Sequence, residues 1–484
     1  FTDSEDFPVI NNTGNANTLH QTTKGCSAPD CNSAFIVKIN STATNPIIWS
    51  SYFGDTGDCG GNAIRLDDNG NVYFVGSGTD LPVDGSGTYM ETSGSGFVQE
   101  FTNDGVPIWG TTIGTSSTSK ANVRSVEVSS GTVYVAGDIS ASDLPPTPLN
   151  SWGGTSDGFA ISFDGSSHGV NWSRFLGGLW DDAANDLVFV SPNIYVTGAT
   201  QSDPTLTFPG PDLGGTLDYQ QGHADAASQY RDIFISRSTA SSGALNYGTY
   251  YGGGGYDVGK SICAGTDGTN TLIYITGYTD CSNFPFPSSN LANAYDDEAL
   301  NGLGNDQPFI IMLDQNLSNK WVTLFGKGTG DEYGTGVSAY SNQKLYITGY
   351  SFGNEFPFDD GQSVPFDAPD PYYFDAIQIT NGYTTRFNMY SVLTGIVEHN
   401  APDNKGFIFP NPNNGDFTVQ MEKPIDADCI LTVYNVLGKA IYTLPLRAIN
   451  QSKFSISIGN QASGIYLVEI QGKGFQLESK IIIQ

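Results

Sequence analysis

Short stretches of alternating apolar and polar residues recur along residues 1–393, and each is closed by a turn signal. The clearest is an apolar run that ends in glycine: VYFVG (72–76), VYVAG (133–137), IYVTG (194–198), IYITG (273–277) and LYITG (345–349). Steps of 61, 61, 79 and 72 residues separate the glycines, which is a repeat with insertions rather than missing strands. Three other patterns keep fixed places around that run. NAIRLDD, NVRSVEV, NDLVFV, GKSICAG or GTGVSAY precedes it. After a loop comes an aromatic-led strand, read as FVQEF, FAISF, FISRS, FIIML and FDAIQI. A fourth strand carries Trp or Tyr, as in IWGTTIG, NWSRFLGG, NYGTYYGG and KWVTLFG. Four strands per tandem unit predict an all-β fold, a β-propeller of four-stranded blades.

Five complete blades fit residues 62–393, and residues 1–54 supply half of another: Asp6-Phe7-Pro8, then FIVKIN (35–40) and IIWSSYFG (47–54). A half-blade leaves a strand edge open. Residues preceding Phe1, other strands of the same chain, or strands of a neighbouring subunit are the three ways to close it. The first is favoured here; the third makes the protein a self-assembling subunit. The propeller is placed at 1–397, a polar linker (EHNAPDNKG) at 398–406, and about seven short strands at 407–484, an immunoglobulin-like β-sandwich. Trp49, Trp109, Trp172 and Trp321 occupy one place in the repeat and read as packing between blades. Trp152 and Trp180 fall outside that register and suit a binding surface.

Composition agrees with a turn-rich β protein, since 484 residues include 59 Gly, 25 Tyr and 28 Phe. Charge is divided unevenly: residues 405–484 are nearly neutral, whereas residues 1–404 hold 13 basic against 44 acidic side chains, net −31. So acidic a body repels phosphate backbones and anionic lipid, which excludes nucleic acid and leaves cations, carbohydrates and basic proteins as partners. No stretch reaches the ~18 apolar residues of a membrane span. No signal peptide stands at Phe1, so a mature or partial form is expected. Among six cysteines, Cys26 and Cys31 share one polar loop and pair best; Cys263 and Cys281 bracket one predicted hairpin and make a second candidate pair. Cys59 and Cys429 have no evident partner. His20, His168, His223 and His399 show no zinc-ligand spacing and read as solvent-exposed.

Loops joining strands two and three open on the same propeller face as those joining successive blades. The intervals from the strand-ending glycine to the next aromatic leader are 21, 22, 36, 32 and 25 residues, so segments 199–232 and 278–306 stand out. They carry Tyr219, Tyr230 and Tyr295, which suit stacking on sugar rings or, equally, stapling of their own loops. Trp180 and Tyr256 join them as ligand-binding candidates, with Asp181, Asp182 and Asp257 supplying acceptors. An acidic residue precedes most first strands: Asp58, Asp181 with Asp182, Asp257, and Asp331 with Glu332, while the second blade has Lys120 nearby. Asp58, Asp182, Asp257 and Asp331 are therefore candidate Ca²⁺ ligands, against the commoner role of capping turns. Asp67-Asp68-Asn69-Gly70-Asn71 predicts a tight hairpin turn. No other cofactor is expected. GxSxG, HExxH and phosphate-loop motifs are absent, so no catalytic residue is assigned and the expectation is a protein that is not an enzyme. A carboxylate pair for glycoside cleavage is defined by spatial separation and stays open.

The repeat resembles the SBBP type of propeller repeat, which has the same four elements, a Gly-Gly-Asp-Asp-like approach to the first strand and a Thr-Ser-Phe-Pro-like loop. The tail carries Phe409-Pro410-Asn411-Pro412, Asn414-Gly415, Tyr434-Asn435-Val436-Leu437-Gly438, Gly464-Ile465-Tyr466 and a basic-apolar end, Lys480 to Gln484. It resembles the type A C-terminal sorting domain of the type IX, or Por, secretion system of Bacteroidota. That resemblance implies export across both membranes of a diderm bacterium to the cell surface or beyond. It makes the export machinery a partner, with Gly464, Tyr466, Lys480, Ile481, Ile482 and Ile483 in the signal. The expectation is an exported binding or adhesion protein whose propeller face recognises a carbohydrate or protein ligand. A polysaccharide-degrading hydrolase or lyase, and a structural subunit of an extracellular assembly, are the alternatives.

Overall fold

Each glycine-ended run folds as the second strand of an antiparallel sheet whose strands follow sequence order. The computed structural model describes residues 1–484 except 13, 16, 26–30, 41–45, 55–56, 79–82, 84–90, 146, 203–229, 288–304, 327–329, 341–343, 353–380, 389–405, 422–428, 436–438, 447–450, 460, 473–474 and 484. Two units are present, Phe1–Leu393 and Thr394–Gln484. In the first, β1 (Ala34–Ile39) and β2 (Ile47–Phe53) make the half-blade. The first blade is β3 (Cys59–Leu66), β4 (Val72–Gly78), β5 (Gly96–Phe101) and β6 (Pro107–Ile113). The second is β7 (Asn122–Ser129), β8 (Thr132–Ile139), β9 (Asp157–Asp164) and β10 (Val170–Leu176). The third is β11 (Asp182–Val190), β12 (Asn193–Thr200), β13 (Asp232–Thr239) and β14 (Leu245–Tyr251). The fourth is β15 (Asp257–Thr266), β16 (Thr271–Thr279), β17 (Gln307–Asp314) and β18 (Asn319–Leu324). The fifth shows β19 (Glu332–Tyr340), β20 (Lys344–Ser351) and β21 (Asn381–Asn388) among the described residues. First strands β3, β7, β11, β15 and β19 each pack against the next, so the sheets fan out as propeller blades.

The glycine that ends each second strand has a steric cause. Every first strand carries a β-bulge across from it, leaving Asn62, Arg124, Asn185, Lys260 or Thr335 unpaired. A Cβ on Gly76, Gly137, Gly198, Gly277 or Gly349 would lie 1.8–1.9 Å from a first-strand carbonyl oxygen. On the third strand the same glycines face Phe97, Phe159, Phe234, Phe309 and Tyr383, whose rings fill the space the missing side chain leaves. All five rings are buried, each stabilising by about 1.5–3 kcal/mol relative to exposure. This register corrects the reading of the fifth blade. Its third strand is Asn381–Asn388, led by Tyr383, whereas residues 374–379 (FDAIQI) lie outside the described residues.

Neighbouring blades are sewn together at fixed positions. Trp49, Trp109, Trp172 and Trp321 are buried, and each reaches the following blade: Trp172 Nε1 donates to the Ala240 carbonyl, and Trp109 and Trp321 meet Phe163 and Phe387 edge-on. Trp152, expected at a surface, packs on the core of the second blade. On the inner strands, Asp186 accepts from Ser125 Oγ at 2.6 Å, Ser261 Oγ at 2.8 Å and Ile262 N at 2.9 Å, joining three blades through one carboxylate. His168 is likewise a correction to the exposed reading of the histidines. It is buried, stacks on Trp109 at 4.8 Å and bonds Glu100 through Nε2 at 2.8 Å, because the β9–β10 turn folds onto the preceding blade. The Asp67 carboxylate accepts from the amides of Asn69 and Asn71, the hairpin turn the sequence predicts.

Cysteine pairing departs from expectation in one respect. Cys31 is disulfide-bonded and Cys26 lies outside the described residues, but Cys59, Cys263 and Cys281 are free thiols. The ladder that pairs Cys263 with Tyr274 and Asp257 with Thr279 keeps Cys263 and Cys281 at opposite ends of their hairpin. The second unit is a two-sheet sandwich. β22 (Gly406–Phe409), β23 (Asp416–Met421) and β26 (Lys453–Ser457) form one sheet; β24 (Cys429–Asn435), β25 (Ala440–Leu446), β27 (Gly464–Gly472) and β28 (Phe475–Ile483) form the other. Cys429 is part of its core with Phe417, Val419, Leu431, Val433, Val468, Ile470 and Ile481.

Candidate functional site

One mouth of the propeller collects the starts of first and third strands and the ends of second strands. Blades are joined there by a repeated bond, in which the amide that opens a first strand donates to the residue just before the preceding blade's third strand. The pairs are Cys59 with Asn32, Asp182 with Ser156, Asp257 with Arg231, and Glu332 with Asp306. Two successive positions therefore have opposite surroundings. Asp58, Lys120, Asp181, Tyr256 and Asp331 line the rim, whereas Asp182, Asp257 and Glu332 are turned into the seam between blades and buried.

Seam carboxylates bond the backbone. Asp182 Oδ2 accepts from Gly178 N at 2.7 Å and from Ser202 Oγ at 2.8 Å; Asp257 Oδ2 accepts from Gly253 N at 2.7 Å and Oδ1 from Cys281 Sγ at 3.3 Å. Each shares its seam with the carboxylate that opens a third strand. A Cβ on Gly177 would lie 2.7 Å from both Asp157 Oδ1 and Asp182 Oδ2, and one on Gly252 would meet Asp257 Oδ2 at 2.5 Å and Asp232 Oδ1 at 2.7 Å. The Gly-Gly pair ahead of these strands thus makes room for two carboxyls and donates an amide to one. Burial pushes the Asp157 carboxyl up to about 7, with Asp182 adding repulsion, and holds Asp182 and Asp257 at about 6. Asp182 and Asp257, candidates for ligand or Ca²⁺ contact, are at 2 % and 0 % exposure and do not face the mouth. Asp58 Oδ1 accepts from Asn32 N at 2.7 Å and Asp331 Oδ1 from Asp306 N at 3.2 Å, each tying the approach of a first strand to the backbone ahead of the preceding blade's third strand. Among the described residues no three His, Cys, Asp or Glu side chains converge as a metal-binding group.

The rim itself carries a run of aromatic and charged groups across the third to fifth blades. Trp180 is 47 % exposed and stands beside Asp181, whose carboxylate bonds Thr155 Oγ1 and lies 3.8 Å from the Arg231 guanidinium. Arg231 follows Tyr230, which meets Tyr256 edge-on at 5.3 Å, and the Tyr256 amide donates to Asp280. Beyond Asp280, Tyr278 meets Tyr333 at 4.7 Å, Tyr333 stacks on Tyr350 at 4.7 Å, and Phe352 closes the run. Tyr333 bonds the Asp306 carboxyl, which burial and the nearby Asp331 and Asp280 push above the usual carboxylate range. Lys260, the fourth blade's bulge residue, sets its ammonium 5.6 Å from the Tyr278 ring centroid; burial, then Arg124 and Arg231, lower its affinity for a proton.

The structure thus brings Trp180, Asp181, Tyr230 and Tyr256 together and leaves Asp182 and Asp257 beneath them. Tyr219 and Tyr295 lie outside the described residues. Sequence reading missed Tyr278, Asp280, Asp306, Tyr333, Tyr350, Phe352, Arg231 and Lys260. A signal was present: the residue after the strand-ending glycine is Ser77, Asp138 and Ala199 in the first three blades but Tyr278 and Tyr350 in the last two.

In the second unit the signal residues separate by face. Tyr466, Ile481 and Ile483 are core, Lys480 is exposed, and Gly464 pairs with Ile483 along β27 and β28. The last part of the β28 margin is bonded by Asn411 and Asn413. Asn411 Nδ2 donates to the Lys480 carbonyl at 2.8 Å, Asn411 Oδ1 accepts from Ile482 N at 2.7 Å, and Asn413 N donates to the Ile482 carbonyl at 2.8 Å.

No curated protein matches the chain. Solved structures similar to it include Trypanosoma rangeli sialidase in complex with 2,3-difluorosialic acid, at 8 % identity over 94 % of this chain and 88 % of that one, TM-score 0.26. A glycoside hydrolase family 32 protein from Bifidobacterium adolescentis is similar at 9 % identity over 90 % and 66 %, TM-score 0.22. No helix of the described residues is long and apolar enough to cross a membrane. Residues 407–484 match the secretion system C-terminal sorting domain, the mark of proteins that the type IX system exports to the cell surface or the extracellular space.

Proposed function

We propose that the chain is an exported recognition protein, in which the propeller rim binds a carbohydrate and the sorting domain supplies delivery. The observation that carries this reading is the continuous rim of Trp180, Tyr230, Tyr256, Tyr278 and Phe352 with Asp181, Asp280 and Asp306 between them. Aromatic planes offer stacking surfaces to the apolar faces of sugar rings, and interleaved carboxylates accept hydroxyl hydrogens. Arg231 and Lys260 widen the range to glycans that carry carboxylate or sulfate, which the acidic body otherwise repels. Titration calorimetry of the full chain against neutral and acidic oligosaccharides tests the reading. Trp180→Ala with Tyr256→Ala is expected to weaken binding by about 10–100-fold, the equivalent of ~1.4–2.8 kcal/mol, at unchanged thermal midpoint. Equal affinity in the double variant, or no glycan bound by the wild type, overturns it.

Polysaccharide cleavage is the second reading, favoured by one observation: Asp306 is held toward its protonated form beside Asp331 and Asp280 at a half-open position. Acid and base would then be drawn from those three, since Asp182 and Asp257 are sealed in the seam. Release of reducing ends from a bound glycan, lost in Asp306→Asn, separates cleavage from binding alone.

A further inference from the structure

Five blades show what covers the third-strand aromatic: a second strand that places glycine against it. Among the described residues the half-blade has the aromatic without the strand. Phe35 pairs with Tyr52 as Phe97 pairs with Thr112, and Lys38 with Trp49 as Glu100 with Trp109, so Phe35 holds the place of Phe97. One side of its ring meets Phe7 at 4.7 Å, as Phe309 meets Phe284 at 5.2 Å in the fourth blade. Phe35 is nevertheless 37 % exposed, whereas Phe97, Phe159, Phe234 and Phe309 are fully buried. The next blade shows a matching exposure. Val126, Leu187, Ile262 and Val337 are buried at one register position of their first strands, but the first blade has Ile64 there at 48 % exposure and Leu66 two residues on at 62 %.

We infer that the lane beside β1 is a strand-acceptor site whose occupant is an antiparallel strand pair of the repeat type. Its inner strand would lie over Ile64 and Leu66, and its outer strand would set a glycine against Phe35. The outermost rung is already made. Thr2 and Ser33 exchange amide–carbonyl bonds at 2.8 and 2.9 Å, in the register where the Gly78 amide donates to the Ser95 carbonyl at 2.8 Å. A strand in this lane runs out through Phe1 and Thr2, so the donor is joined to Phe1 rather than brought by a second copy. Strand alternation turns the amides of Phe35, Val37 and Ile39 toward the lane, while those of Ile36 and Lys38 bond β2.

The test joins a copy of this chain's own Asn122–Gly137 directly to Phe1 of the full chain, which sets the copied glycine across from Phe35. Hydrogen exchange at Phe35, Val37 and Ile39 is expected to slow by about tenfold or more, with the amides of β27 unaffected as an internal reference. The same extension carrying Gly137→Val in the copied segment is expected to give no slowing, because its side chain meets the Phe35 ring. Slowing that is equal in both extensions, or absent from both, overturns the proposal. Concentration-dependent protection of the same amides in the unextended chain overturns the joined donor in favour of a second copy.

Discussion

Asp181 and Asp182 are neighbours in sequence and belong to different regimes. Asp181 stands on the rim, its carboxylate shared between a hydroxyl and a guanidinium 3.8 Å away; Asp182 is turned into the seam and holds an amide and a buried hydroxyl. The same division separates Tyr256 from Asp257 and Asp331 from Glu332. Rim residues are free to vary, because water screens whatever they carry. Seam residues are tied to the glycines and hydroxyls that surround them, and their charge is costly. A row of acidic residues around a propeller mouth is therefore two rows, one open to solvent and one joining blades.

The largest effect expected of a change at the seam comes from its glycines. Gly252→Ala puts a methyl against Asp257 Oδ2 and Asp232 Oδ1, and should lower unfolding free energy by about 2–4 kcal/mol in urea titrations; a loss under 0.5 kcal/mol would mean that the seam yields easily. The pH dependence comes next. Asp157, Asp182 and Asp257 have folded values raised to about 7, 6 and 6 above the ordinary 3.8, so the folded state binds more protons than the unfolded one between those limits. Their stabilisation is complete below pH 4 and is lost as pH rises through 6 to 7. Thermal midpoints should accordingly fall between pH 5 and pH 8, and Asp157→Asn should flatten that slope. Smallest of all is Asp181→Ala, which should change stability by no more than about 0.5 kcal/mol in the same titrations, the usual scale for an exposed ion pair. A cost near that of Gly252→Ala would erase the distinction between the rows.

The period was legible because strand-ending glycines mark a steric necessity, and repeated tryptophans mark a packing one. Both leave the same residue type at the same place in several blades. The fifth blade's third strand was misread because FDAIQI looks aromatic-led, while Tyr383, which faces Gly349, begins no comparable apolar run. Seam and rim could not be told apart from composition, since a one-residue step along a strand reverses the direction of a side chain without altering its chemistry. His168 read as exposed because its neighbours are Ser and Gly, and the surface that buries it, Trp109 with Glu100, lies in the previous blade. Much of the rim escaped notice for a similar reason. Asp280 and Asp306 leave and enter different strands of the fourth blade, Tyr333 belongs to the fifth, and they meet only when the repeat is wound up.

The clip at the end of the chain has a consequence for life outside the cell. Asn411 and Asn413 occupy the carbonyls of Lys480 and Ile482 and the amide of Ile482, the groups a foreign strand would seek. A strand from another molecule that approached the last turn of this edge would find its partners at Lys480 and Ile482 already taken.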